Sequence, residues 1–124
     1  MKKAIALLLA LVMVFALCAC GGGGDSASGD KVVKIGVFEP ASGDSGAGGK
    51  KEMLGMQYAN QETPTVEIGG ETYKVELVYS DNGSDSAKAV SAASKLVNEK
   101  VSLVLGSYGS GVSIAASDTF KQAG

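Results

Sequence analysis

The sequence lacks three side chains that are central to catalysis and anion recognition: its 124 residues include no histidine, no arginine and no tryptophan. Without histidine there is no Ser-His-Asp triad, no Cys-His dyad and no His-containing zinc site. Without arginine no guanidinium can grip a phosphate or carboxylate, so an anion would be held by lysine, hydroxyls or backbone N–H groups. Scattered lysines and a net charge of −2 also argue against a nucleic-acid partner.

The acidic residues show no arrangement typical of an active site. Glu39, Asp44, Asp81 and Asp85 form no paired pattern, and no cluster has the spacing of metal ligands. We therefore expect no catalytic residues, no metal and no cofactor, and we interpret the protein as a non-enzyme. The competing interpretation as a surface hydrolase lacks a base.

The glycine-rich segment at residues 39–49 has the wrong spacing for a nucleotide. Counting back from Lys50, Asp44 occupies the first glycine position of a phosphate loop, and Lys51 stands where a hydroxyl is required. A dinucleotide pattern fails as well, because Gly46 and Gly48 are followed by Lys51. The segment is better explained as a surface loop whose backbone can approach a ligand.

The N-terminus has the form of an export signal. Two lysines precede an uncharged run at residues 4–19, which as a helix would span about 24 Å and is short for a membrane span. The run ends in Leu17-Cys18-Ala19-Cys20, which resembles the lipobox of bacterial lipoproteins and implies acylation of Cys20. We predict a signal peptide at residues 1–19 and a lipidated cysteine with a flexible Gly/Ser tether at residues 20–30. A short N-terminal membrane anchor is the alternative.

Strand and helix patterns alternate through the rest of the chain. Apolar, β-branched runs predict strands at 32–38, 73–79 and 101–105; periodic patterns predict helices at 50–61, 85–99 and 111–122. The first helix would have a modest apolar face made of Met53, Leu54, Gln57 and Tyr58. Gly69-Gly70 predicts a hairpin before the second strand. The expected fold is α/β: a doubly wound parallel sheet in strand order 2-1-3 with flanking helices.

Ligands bind such a sheet where the strand order reverses, at the carboxyl ends of the first and third strands. The loop at residues 106–111 lies there and opens the last helix, whose N–H groups and dipole favour an anion. Ser107 and Ser110 supply hydroxyls, and Tyr108 supplies an apolar wall with a polar tip. A plain serine N-cap is the alternative, and these features do not separate phosphate from carboxylate.

These segments occur in one order that resembles a known family. The order of segments is similar to that in the first lobe of branched-chain amino-acid-type substrate-binding proteins of ABC transporters. The segments are the lipobox, Val32–Phe38 followed by Pro40-Ala41-Ser42-Gly43, Val78-Tyr79-Ser80-Asp81, and Val104-Leu105-Gly106-Ser107. The resemblance covers residues 32–124. It implies the type I periplasmic-binding fold, with residues 31–124 as a partial N-terminal lobe of a ligand-binding domain.

The resemblance also implies a site and a role. The loop after the third strand would bind a ligand carboxylate through Ser110, with Ser107, Tyr108 and Gly109 lining the pocket. The first loop, including Ser42, would cover the ligand, although the aromatic residue common there is replaced near Gly48. The implied protein is a bacterial lipoprotein on the extracytoplasmic side of the cell membrane that delivers an amino acid to ABC permease subunits.

Two points stay open at this stage. A ligand-sensing lobe of a surface signalling receptor is the alternative function. The resemblance further implies a second lobe, so we expect the chain to be an N-terminal fragment of a longer protein.

Overall fold

The computed structural model describes residues 31–124, so the predictions for the signal peptide, Cys20 and the tether lie outside the described residues. The elements in chain order are β1 (Val32–Phe38), α1 (Gly46–Glu62), β2 (Thr65–Ile68), β3 (Glu71–Tyr79), α2 (Ser86–Asn98), β4 (Leu103–Gly106) and α3 (Ser110–Ala123). None of the helices in this part of the chain has the length and apolar character needed to cross a membrane.

The sheet has four strands in the order β2-β3-β1-β4. β1 pairs in parallel with β3 on one side and with β4 on the other, which confirms the predicted order of the three parallel strands. The sheet is nevertheless mixed, because β2 pairs antiparallel with β3 at the edge. The hairpin at Gly69-Gly70, where both residues have positive φ, produces this antiparallel pair.

The hydrophobic core lies on one face of the sheet, beneath α2 and α3. Phe38, at the end of β1, meets Phe120 of α3 edge to face, with ring centroids 5.4 Å apart. The buried members of the core are Phe38, Ala89, Ala92, Ala93, Leu96, Val112 and Ala116. Alanines make up most of this list, and their small side chains let α2 and α3 pack closely against each other. The apolar periodicity of the two helices predicts that such a face is buried. Val90, on α2, is 47% exposed.

Asp85 caps α2 rather than lying within its first turn. Its side chain accepts a hydrogen bond of 2.7 Å from the Ala87 amide, so the helix begins at Ser86. This cap fixes where the chain leaves the loop after β3.

The predicted face of α1 is wrong. Leu54 and Tyr58 are each 63% exposed, and the buried residues of the helix are Gly46 and Gly49. The helix also begins at Gly46, four residues before the predicted start at Lys50. At the N-terminus of α1, the backbone of Gly49 packs directly against Pro40. A side chain at position 49 would prevent this contact, because its Cβ would clash with Pro40. An apolar groove of about 470 Å³ separates the rest of α1 from the second face of the sheet.

Truncation of Leu96 should test where stability resides. We expect Leu96→Ala to lower the free energy of unfolding by about 2–5 kcal/mol, because Leu96 is fully buried in the core. Leu54→Ala is the matched control and should change it by less than about 0.5 kcal/mol. Urea denaturation measures both, and equal losses would contradict the assignment of the core to the α2–α3 face.

Candidate functional site

The carboxyl ends of β3, β1 and β4 lie side by side at one edge of the sheet. Three connections leave from this edge: residues 39–45 after β1, residues 80–85 after β3 and residues 107–109 after β4. The sequence predicted a crevice between the ends of β1 and β4, and the two strands are adjacent there.

A buried amide holds these ends together. Asn82 is fully buried, and its Nδ2 donates to the carbonyl of Phe38 at 2.8 Å and to the carbonyl of Ser107 at 3.3 Å. Its Oδ1 accepts from the Ser84 amide at 3.0 Å. One side chain from the β3 loop therefore ties the ends of β1 and β4 to each other.

A second polar side chain from the same loop holds the start of the β1 loop. Asp81 Oδ1 accepts from the amides of Ala41 (2.7 Å), Ser42 (3.2 Å) and Gly83 (2.8 Å), and Oδ2 accepts from the Ser42 hydroxyl at 2.6 Å. Burial alone would raise the pKa of Asp81, but these hydrogen bonds outweigh it and hold the pKa below its usual value. The Ser42 hydroxyl is thus used to fasten the loop.

The turn after β4 requires glycine at its first position. Gly106 has φ +140°, and the carbonyl of Phe38 lies where a Cβ would stand. The following Ser107 is buried, and its hydroxyl donates to the carbonyl of Gly109 at 2.9 Å. Ser107 and Ser113 also share a hydrogen bond of 2.6 Å between their hydroxyls. Because the one hydroxyl proton of Ser107 goes to Gly109, Ser113 is the donor in that pair, and Ser107 shapes the loop from within.

No side chain caps the N-terminus of α3. Gly109 is the N-cap residue and makes no side-chain hydrogen bond, so the alternative of a serine N-cap is not what the structure contains. Ser110, the first residue of the helix, is exposed. The amides of Val112 and Ser113 donate to the carbonyl of Gly109, whereas the amides of Ser110 and Gly111 have no backbone partner among the described residues, a feature shared by helix N-termini that bind anions.

A cavity of about 330 Å³ opens in front of this helix end. It is lined by Glu39, Glu52, Gly106, Ser107, Tyr108, Gly109, Ser110 and Ser113. The structure thus brings together four of the residues predicted for the site: Ser107, Tyr108, Gly109 and Ser110. Ser42 is not among the lining residues. A smaller cavity of about 170 Å³ also borders the loop and is lined mainly by serines and glycines.

Tyr108 lies across the glycine-rich start of α1. Its backbone adopts the left-handed conformation (φ 67°), and its side chain is 53% exposed. A Cβ on Gly48 would lie 2.5 Å from the Tyr108 hydroxyl oxygen. The ring of Tyr108 therefore occupies the space in which a side chain at position 48 would stand.

Glu39 lies beside a second acid, Glu52, which was not among the four acids weighed in the sequence. Glu39 and Glu52 line the same cavity, and Glu39 is only 2% exposed. Burial, followed by the negative charge of the neighbouring Glu52, raises the pKa of Glu39 to about 7. Glu39 Oε2 has no hydrogen-bond partner among the described residues. The sequence gives no local signal for this pair, because thirteen positions and a change from strand to helix separate the two residues.

The fold and this cavity define a class: an open α/β lobe with a cavity at the carboxyl ends of its central strands. The family of periplasmic binding proteins matches residues 32–124. This chain belongs to that family.

Individual relatives agree with this assignment. The Leu/Ile/Val-binding protein homolog 2 of Brucella abortus is 33% identical over 92 residues, which are 74% of this chain and 24% of that protein. A branched-chain amino acid transporter substrate binding protein from Streptococcus pneumoniae, solved with isoleucine, has a TM-score of 0.65 and 34% identity, over 75% of this chain and 27% of that one. An ABC transporter solute binding protein from R. palustris, solved with benzoate, has a TM-score of 0.62 and 26% identity, over 73% and 25%.

The chain therefore spans about a quarter of the length of the relatives it matches. All three are described as binding proteins, which supports the expectation of a non-enzyme at the level of the family. The predicted type I periplasmic-binding fold is confirmed by the structural match.

The raised pKa of Glu39 should make the free energy of unfolding depend on pH. The folded state keeps the proton of this carboxyl up to about pH 7, whereas an unfolded chain releases it near pH 4.5. The folded state thus binds more protons in this window, so the free energy of unfolding should fall by roughly 2–3 kcal/mol as the pH rises from 4.5 to 7.

Glu39→Gln should remove this contribution, because glutamine stays neutral throughout. The exposed Glu62→Gln, also on α1, is the matched control and should keep the wild-type slope. Urea denaturation at a series of pH values measures the slopes. A slope in Glu39→Gln equal to that of the wild type would contradict the raised pKa.

Proposed function

We propose that this chain is the solute-binding component of an ABC transporter and that its ligand is an amino acid, of the branched-chain type, or a related small carboxylate. The observation that carries the proposal is the cavity at the uncapped N-terminus of α3, at the switch point of the sheet. The ligands of two relatives, isoleucine and benzoate, share one feature, a carboxylate next to an apolar group.

The local chemistry fits a carboxylate. The first N–H groups of α3 and the Ser110 hydroxyl would donate to its oxygens, and the helix dipole would add to the attraction. Gly109 lets the ligand approach the backbone, and Tyr108 offers an aromatic wall on the solvent side. Ser42 contributes indirectly, since its bond to Asp81 holds the loop that leads to α1. With no arginine in the chain and no lysine lining this cavity, hydroxyl and backbone N–H groups are the donors that it offers to an anion.

The proposed cellular arrangement rests on the sequence of the first thirty residues. Acylation at Cys20 would anchor the protein on the extracytoplasmic side of a bacterial membrane, and the Gly/Ser tether would let the lobe reach its permease subunits. Stable anchoring needs more than one acyl chain, which is what lipoprotein processing would supply.

Replacing Ser110 tests the carboxylate site. Ser110→Ala should weaken binding by about 1–3 kcal/mol, because it removes a hydrogen bond to a charged group. Calorimetric titration of the full chain with an amino-acid panel and benzoate measures the change. Ser117→Ala is the matched control: Ser117 is an exposed serine of α3 that bonds only the carbonyl of Ile114, and its loss should leave affinity unchanged. Binding of no member of the panel would defeat the proposed function, and equal affinities of Ser110→Ala and wild type would remove Ser110 from it.

Replacing Cys20 tests the anchor. Cys20→Ser should abolish acylation, so that the protein leaves the membrane fraction of bacterial cells. Intact mass of the extracted protein measures the added lipid, and Cys18→Ser is the control that should retain it. A Cys20→Ser protein that stays in the membrane with an unchanged mass would contradict the lipoprotein assignment.

A further inference from the structure

One dipeptide in the loop after β3 has a chemistry that ligand binding does not use. The chain contains three asparagines, and Asn82 is the one that is followed by glycine. In an Asn–Gly step the glycine nitrogen readily attacks the side-chain amide, because glycine has no side chain to obstruct the approach. Asn82 is also the residue whose amide ties the ends of β1 and β4 together. The asparagine with the most labile sequence therefore occupies a position on which the cavity depends.

The reaction exchanges an amide for a carboxylate. A bond forms between the Gly83 backbone nitrogen and Asn82 Cγ, the bond from Cγ to Nδ2 breaks, and the proton of the attacking nitrogen leaves with the amino group as ammonia. Water then opens the cyclic imide at either of its carbonyls. The products are aspartate at position 82 or isoaspartate, in which the main chain runs through the former side chain. The sum of these steps consumes one water and releases one ammonia, so solvent is the only co-reactant.

The folded loop holds both partners of this reaction in unreactive positions. The Gly83 N–H donates to Asp81 Oδ1 at 2.8 Å, so the attacking nitrogen would have to lose its proton beside an ionised carboxylate, where a second negative charge is disfavoured. The side chain of Asn82 is fully buried and fixed by three hydrogen bonds, which keep Cγ from turning toward the nitrogen and keep water away. Deamidation therefore requires the loop at residues 80–85 to open.

The product cannot replace the amide from which it forms. Asn82 Nδ2 donates to the carbonyls of Phe38 and Ser107, whereas a carboxylate has no N–H and would face both carbonyl oxygens as an anion. A buried charge without a partner is strongly destabilising, so the altered loop would move out into water. The turn at residues 107–109 would then lose its connection to β1, and the first N–H groups of α3 would lose their fixed position.

We propose that Asn82 is a modification site: its deamidation is prevented while the loop after β3 is closed, and once it occurs it disables the cavity at the N-terminus of α3. The inference adds a form of regulation to the proposed function and rests on that function for its binding measurement. Because hydrolysis of the imide does not regenerate the amide, the loss is permanent. The rate of the loss reports how often the loop opens.

Peptide mass mapping of the full chain tests the protection. During incubation at pH 8, Asn82 should convert at least about tenfold faster in urea, where every loop is open, than in the folded protein. Asn60 and Asn98, which are followed by glutamine and glutamate, are internal controls and should stay unconverted over the same period. Equal rates at Asn82 in buffer and in urea would show that the fold gives no protection, and no conversion in urea would refute the site.

Replacing Asp81 tests the restraint on Gly83. Asp81→Ala removes the acceptor of the Gly83 N–H, so deamidation of the folded protein should accelerate severalfold. Asp81→Asn keeps an acceptor oxygen and loses only the charge, so it is less disruptive to the fold and should give a smaller acceleration. Asp118→Ala, at an exposed aspartate of α3, is the matched control and should keep the wild-type rate. Wild-type rates in both Asp81 variants would overturn the proposed protection.

Two measurements on partly converted protein follow the consequence. Hydrogen exchange resolved by mass spectrometry should show lost protection in the first turn of α3, where the amides of Val112 and Ser113 donate to Gly109, while α2 stays protected. Calorimetric titration with leucine should show a binding-competent fraction that falls in step with the unconverted Asn82. Asn82→Asp is a uniform form of one product and should behave as converted protein in both measurements.

The outcomes separate this inference from the proposed function. If converted protein keeps the exchange pattern of the wild type or binds leucine equally well, deamidation does not disable the cavity and the inference fails. If fresh wild-type protein binds neither leucine nor any other member of the amino-acid panel nor benzoate, the proposed function fails. The exchange pattern then still decides whether deamidation releases the turn after β4.

Discussion

The site depends on the side chain of Asn82. Pairing between parallel strands does not fix the loops that follow their carboxyl ends, because each loop leaves the sheet in a different direction. Asn82 meets this need with three hydrogen bonds that join the end of β1, the turn after β4 and its own loop. Its complete burial makes these bonds stronger than they would be in water and their loss more costly. With the carbonyls of Phe38 and Ser107 held by one amide, the cavity in front of α3 has fixed walls.

The helices pack tightly on one face of the sheet and loosely on the other, and both faces contribute residues to the cavity. On one face, α2 and α3 bury alanines, Leu96 and a Phe38–Phe120 contact, which gives the N-terminus of α3 a rigid base. On the other face, α1 contacts the preceding loop through Gly46 and Gly49 and leaves most of its apolar side chains exposed. The well-packed helix thus presents the proposed carboxylate donors, while the loosely packed helix brings the second carboxylate of the pair.

Local patterns in the sequence account for much of the fold. The apolar run of β1, the alanine periodicity of α2 and the glycine hairpin before β3 predict those elements and the order of the parallel strands. The serines after β4 pointed to the N-terminus of α3, and four of the residues predicted for a site line one cavity there. The exposed face of α1 was missed because Met53, Leu54 and Tyr58 have helical spacing whether or not a partner surface covers them. The roles of Asn82 and Glu39 were missed because both act across long separations: the Asn82–Phe38 bond joins residues 44 positions apart.

The glycines at the start of α1 connect these observations. Had the helix begun at Lys50, Glu52 would lie in its first turn, at the end of a long flexible loop. Beginning at Gly46 places Glu52 in the second turn, on a helix that has already docked. The docking itself requires bare α-carbons, since side chains at Gly48 and Gly49 would collide with Tyr108 and Pro40. Glycines that look unsuited to a helix, by roughly 0.5–1 kcal/mol each relative to alanine, are therefore the reason that a carboxylate of α1 reaches Glu39 at the end of β1.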